Sequence, residues 1–320
     1  PRHVGEPFNK LGKSGREAIQ RADLIVSLGW VDLGGVLRQA LGANPVTAKV
    51  VHVNQDMHLH NGWGRETFQL PPTDLLIVAD PDETVRELIG ELGIHPKLGE
   101  NLESVPEFPG FGGHLNLVDV ARELLTAVGS QKVSFASLAR AWPTKYWPFS
   151  DPLSYLGKDG GGGVGSGPGL CVGAALKLKD SDRLVVGVIG DGDCMMGVNA
   201  FWTAARYNIP VLIIVANNRS YYNDELHQEG VAIHRGRDPE NRWVGQTIDH
   251  PAPNISQIAD GLGIESAGPI TSIEGLKEAL THGVEVVRGG KPFLVDVHID
   301  PRHGRELTES MAERSLAQKG

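Results

Sequence analysis

Cysteine is scarce in this chain: two thiols, Cys171 and Cys194, among 320 residues. Two cysteines cannot build a disulfide framework, and such scarcity points to a reducing, cytoplasmic setting. Long apolar runs are missing as well. None approaches the ~18 residues that span a bilayer, which excludes a helical membrane protein. No block of Lys and Arg offsets the formal net charge of −9, so a nucleic-acid-binding surface is not expected. The chain has no Met at its start, beginning Pro1-Arg2-His3, and no charged-then-apolar leader. That start reads as a fragment or as a chain whose upstream part was removed.

What is present is an ordinary globular composition, 40% hydrophobic and 22% charged, which excludes disorder as the main state. Glycine is the outlier, at 41 of 320 residues. Average usage would give roughly 7%, and eight of these glycines fall between Gly157 and Gly169. The excess is therefore local.

Short Val- and Ile-rich runs alternate with helical patterns. The runs are LIVSL (24–28), KVVHV (49–53), DLLIV (74–78), LVVGVI (184–189), VLIIVA (211–216) and FLVDVHI (293–299). Near-continuous apolar strands of this kind are typical of parallel sheets covered on both faces. Helical spacing occupies 83–92, 117–128 and 198–208, the last stopping ahead of Pro210. The alternation predicts an α/β protein, with three-layer parallel sheets and helices on both faces. The stretch 95–114 holds three Pro and four Gly without periodicity, the composition of a linker. The expected organisation is an α/β domain over 1–100, a linker over 101–114 and a second α/β domain over 115–320.

The chemistry concentrates in VVGVIGDGD (185–193). An apolar strand runs straight into Gly190-Asp191-Gly192. Small residues there admit a ligand close to the backbone, and the carboxyl ends of strands are where open α/β sheets bind ligands. After a helical segment, a second apolar strand ends in Asn217-Asn218. Read singly, the first motif is a tight turn and the second the start of a loop. Together they place a carboxylate and a carboxamide oxygen at one sheet edge, two hard ligands for an octahedral Mg²⁺ site.

Gly-Asp-Gly, 24 intervening residues (193–216) and Asn-Asn resemble the thiamine-diphosphate motif. The stretch GVNAFWTAARYNIPVLIIVANN is similar to the acetolactate synthase and benzoylformate decarboxylase branch of the thiamine-diphosphate-dependent enzymes. The resemblance implies Mg²⁺ held by Asp191, Asn218 and the main-chain carbonyl of Ser220. It implies diphosphate contacts from the backbone around Gly190, Gly192 and Asp193. DGGGGVGSGPG (159–169) resembles the segment beneath the cofactor's pyrimidine. There it assigns a carbonyl contact to Gly162 and the apolar wedge that bends the cofactor to Val164. WPTKYWPF (142–149) matches the stretch before that segment.

ADLIVSLG (22–29), AKVVHVNQD (48–56) and ADPDETVREL (79–88) look like part of the family's Rossmann-like middle domain. That domain holds FAD or ADP in some members and no nucleotide in others. Asn54 and Asp56 stand where such a nucleotide would bind. The expected activity is decarboxylation of a 2-oxo acid, carboligation, or both, in a homodimer or homotetramer with the active site between subunits.

The chain also departs from the family. Leu138-Ala139 stands where Gln-His is frequent, with Arg140 as a candidate substitute. RSYYNDELHQE (219–229) replaces the Gly-containing turns usual after the second Asn. His227 and Glu225 in that stretch are candidates to touch substrate, with His227 the candidate for proton transfer. The catalytic Glu of the family belongs to an amino-terminal pyrimidine-binding domain for which these residues hold no match. The chain alone is therefore expected to be inactive, as the carboxyl-terminal part of a longer enzyme. A non-catalytic cofactor-binding subunit and an acyl-CoA- or sulfonate-specific member remain as alternatives. A dinucleotide-binding domain fits less well, because Gly165, Gly167 and Gly169 follow no predicted strand. His58 and His60 lack a carboxylate or Cys at ligand spacing and read as surface residues. Cys194 reads as a small buried hydrophobe.

Overall fold

The computed structural model describes residues 11–30, 32–55, 72–93, 107–110, 112–157 and 163–300. Asp56, His58, His60 and Gly162 lie outside the described residues. The chain divides into two compact units, Pro1–Glu100 and Asn101–Gly320.

The first unit contains α1 (Lys13–Arg21), β1 (Leu24–Leu28), α2 (Leu33–Leu41), β2 (Lys49–Val53), β3 (Leu75–Ile77) and α3 (Pro81–Glu91). Its strands form a parallel sheet in the order β1-β2-β3. Asp32 caps α2 and Asp80 caps α3, each accepting backbone N–H groups that the first helical turn leaves free. One face of the sheet is covered. Ile25 and Val50 pack with Ile19, Leu33 and Leu37 of the first two helices. The opposite face, one residue along in the strand's period of two, carries Leu24, Val26, Leu28 and Leu75 at 45–54% exposure. α3 buries none of its residues.

The second unit runs α4 (Leu117–Val128), β4 (Lys132–Ser137), α5 (Ser166–Leu178), β5 (Arg183–Gly190), α6 (Asp191–Gly197), α7 (Ala200–Arg206) and β6 (Leu212–Asn217). It continues with α8 (Tyr222–His234), α9 (Ile255–Gly261), β7 (Glu265–Ile270), α10 (Ile273–Arg288) and β8 (Phe293–His298). All five strands are parallel, in the order β4-β5-β6-β8-β7. Both faces are covered, which is why β5 and β6 are apolar almost without interruption. α4 and α10 pack on one face with Phe135, Trp142 and Trp147; α5, α6, α7 and α9 pack on the other. The aromatic stretch after β4 folds back on the sheet, with the Trp147 and Phe135 ring centroids 4.7 Å apart, edge to face.

Two strands lacked a clear sequence signature. β4 (KVSFAS) interleaves serine with its apolar residues, and β7 (ESAGPI) is an edge strand with Gly and Pro inside it. The predicted helix over 198–208 is shorter, α7 over Ala200–Arg206, because a turn at Val198 and Asn199 separates it from α6.

Candidate functional site

The parallel register pairs Gly190 with Ala216, so β5 and β6 leave the sheet side by side. Asp191 follows β5 directly as the first residue of α6, and Asn218 follows the last residue of β6. The Ser220 N–H lies within hydrogen-bonding distance of both side chains, 3.1 Å from Asp191 Oδ2 and 3.1 Å from Asn218 Oδ1. The three residues expected to act together thus meet at a single backbone amide.

The loop is also held from outside. Ser220 bridges Thr247 in antiparallel fashion. The Tyr221 N–H donates to the Gln246 carbonyl at 2.8 Å, and the Ile248 N–H donates to the Arg219 carbonyl at 2.8 Å. With its neighbours' groups bonded to 246–248, Ser220 turns its own N–H the other way, toward Asp191. Arg219 takes a left-handed conformation, φ 57°, as the chain leaves the sheet. Tyr221 packs on Gly192: a Cβ there would stand 2.2 Å from the Tyr221 ring, so the close approach requires glycine.

Asp191 is 2% exposed. Burial pushes its carboxyl up to about 6, against the opposing pull of backbone N–H groups of Gly192, Asp191, Ser220 and Arg219. The groups acting on this buried acid are backbone amides and no cation. A carboxylate short of a counter-charge, beside a carboxamide oxygen and a loop carbonyl, is a hard-oxygen donor set that fits a divalent cation of the Mg²⁺ type. The described residues contain no cluster of three His, Cys, Asp or Glu suited to a metal, and this set includes only one such side chain.

Asp193 has a different partner. Its Oδ1 accepts from the Gly165 N–H at 2.6 Å and the Gly167 N–H at 3.3 Å, capping the start of α5 and tying the glycine segment to α6. Val164 stands beside this junction and is 49% exposed. Arg140, on the loop after β4, hydrogen-bonds to Asn223 Oδ1 in the first turn of α8. Because β5 lies between β4 and β6, that contact crosses over the end of β5. His227 lies in the second turn of α8 and is exposed. Asn54 follows β2, its side-chain amide 3.4 Å from His52 Nε2. Cys194 is fully buried, and burial raises the pKa of its thiol.

A carboxylate and a carboxamide at the ends of adjacent parallel strands, below a glycine segment capped from the same site, have a counterpart among known proteins. Residues 136–297 match the family described as "Thiamine pyrophosphate enzyme, C-terminal TPP binding domain". The chain belongs to the thiamine pyrophosphate enzyme family. Benzoylformate decarboxylase of Pseudomonas aeruginosa is 26% identical over 249 residues, covering 69% of this chain and 42% of that protein. A probable acetolactate synthase large subunit of Methanococcus aeolicus is 31% identical over 160 residues, 50% of this chain and 24% of that one. Among solved structures, a thiamine diphosphate-dependent 4-hydroxybenzoylformate decarboxylase of Rhodococcus jostii RHA1 superposes with a TM-score of 0.67 at 24% identity. That alignment covers 90% of this chain and 50% of the other. The chain thus spans half or less of the length of these relatives.

Some features of the site were not read from the sequence. Tyr221 over Gly192 and Asp193 as a cap depend on contacts between distant segments. Glu225 was legible as an acid following the loop and a candidate to touch substrate, but its burial against Ser220 was not.

Proposed function

We propose that this chain is the cofactor-anchoring part of a thiamine-diphosphate- and Mg²⁺-dependent enzyme that decarboxylates a 2-oxo acid, joins the resulting fragment to a second carbonyl compound, or does both. The observation that carries the reading is the convergence of Asp191 and Asn218 on the Ser220 amide. When bound, thiamine diphosphate supplies the electron sink for loss of CO₂.

The chain's own residues bind and orient. Asp191, Asn218 and the Ser220 carbonyl would hold the cation. Backbone N–H groups around Gly190, Gly192 and Asp193 would meet the diphosphate at the start of α6. Gly162 would accept a hydrogen bond from the pyrimidine amino group, and Val164 would press the cofactor into its bent form, bringing reacting atoms together. His227 is the candidate for proton transfer to substrate. Homodimeric or homotetrameric assembly, with a neighbouring subunit closing the site, and a cytoplasmic setting complete the proposal. Within the described residues no helix is long and apolar enough to cross a membrane.

Calorimetry with thiamine diphosphate and Mg²⁺ tests the anchor. Wild-type chain binds the cofactor only with the metal, and Asp191→Ala and Asn218→Ala each lose tight binding. Unchanged affinity in both variants would sink the assignment. Incubated with pyruvate or benzoylformate, the chain alone releases no CO₂ beyond background, because the family resemblance places the pyrimidine-activating Glu outside these residues. General acid–base help of this kind is worth ~10²–10⁴-fold. Sustained turnover would mean that the activating acid is within this chain.

A further inference from the structure

α8 buries a single residue of its thirteen, and that residue is an acid, Glu225. Charged side chains are the last expected inside a protein unless they have a partner. Here the carboxylate, in a residue 8% exposed, accepts a hydrogen bond from the hydroxyl of Ser220, also 8% exposed. Ser220 is thereby held on three sides: its N–H by Asp191 and Asn218, its flanking backbone by 246–248, and its side chain by Glu225. Among the described residues its carbonyl accepts no hydrogen bond.

We infer that Glu225 is a positioning residue for the metal site. It pins the Ser220 hydroxyl, which fixes the rotation of the loop and aims the free Ser220 carbonyl at the cation. This rests on the Mg²⁺–thiamine diphosphate reading above. The hydroxyl, committed to Glu225, does not itself compete for the metal, so Ser220 enters the coordination sphere through its backbone alone. The role asked of Glu225 is hydrogen-bond acceptance. A glutamine, which keeps a carbonyl oxygen in the same place, should serve; an alanine should not.

The test is a Mg²⁺ titration at fixed thiamine diphosphate, read by calorimetry on the folded chain, with thermal unfolding measured in parallel. Partners of metal ligands typically cost ~10–100-fold in metal affinity when removed, and Glu225→Ala and Ser220→Ala should each fall in that range. Because both variants delete one shared bond, the double variant should be no weaker than the weaker single to within about twofold. Glu225→Gln should restore affinity to near wild type. A lowered melting temperature with unchanged Mg²⁺ affinity would show a role in folding only and overturn the inference. Additive losses in the double variant, or a Glu225→Gln variant as weak as Glu225→Ala, would overturn it too. A wild-type chain without Mg²⁺-dependent cofactor binding would overturn the functional reading itself.

Discussion

Gly167 shows how narrowly one position can be specified. A Cβ added there would stand 2.0 Å from Asp193 Oδ2 and 2.9 Å from Ile189 Cγ2, so the methyl group must displace the carboxylate that caps α5. Two positions along the same helix, Gly169 has nothing within 4 Å of its virtual Cβ. The two glycines should therefore respond with opposite signs. Gly167→Ala should lower stability by ~1–3 kcal/mol through overpacking. Gly169→Ala should raise it by up to ~1 kcal/mol through helix propensity. Thermal unfolding of the two variants checks this, and shifts in the same direction would contradict the packing account. From the sequence, the glycine excess between 157 and 169 was legible as a local demand. Which glycine answers to which neighbour was not, because Asp193 lies 26 residues from Gly167, with β5 between them in the chain.

Among the elements, β5 and β6 were readable because a strand buried on both faces has no polar positions to blur its pattern. β4 and β7 were not, since the first alternates with serine and the second sits at the sheet edge. The site followed the same rule. Asp191 and Asn218 stood out in the sequence because each ends a strand of the readable kind, whereas Glu225 was legible only as an acid following the loop, and its contact with Ser220 was not.

β2 holds a titratable group of its own. His52 is fully buried, with Nδ1 3.1 Å from Ser27 Oγ on β1 and Nε2 facing the Asn54 side-chain amide. With the Asn54 NH₂ turned to Nε2, the neutral ring donates from Nδ1, and protonation would set two donors against each other. Burial lowers the His52 pKa from its ordinary 6.5. The unfolded chain therefore takes up this proton at a higher pH than the folded one, and the imidazole's contribution to stability is present above pH ~6.5 and lost as pH falls through the lowered value. Urea unfolding of the first unit should weaken between pH 7.5 and pH 5, and His52→Gln should flatten that dependence. Parallel losses in both proteins would place the acid sensitivity elsewhere.

For the molecule as a whole, the two sheets differ in what covers them. The second unit is layered on both faces, while the β1–β3 sheet leaves Leu24, Val26, Leu28 and Leu75 toward solvent. The apolar run LIVSL announced a strand buried on both sides; the residues described here cover only one. In colloidal language the chain is an anionic particle that carries an adhesive plane. At low ionic strength its formal charge of −9 keeps copies apart. Raising salt from ~0.01 M to ~0.15 M contracts the screening length from ~30 Å to ~8 Å, and the planes can then meet. The second virial coefficient measured by light scattering should fall through zero as salt is added, and Val26→Lys should hold it positive. A coefficient that climbs with salt would mean that charge patches, and not this bare sheet, govern how the particles attract.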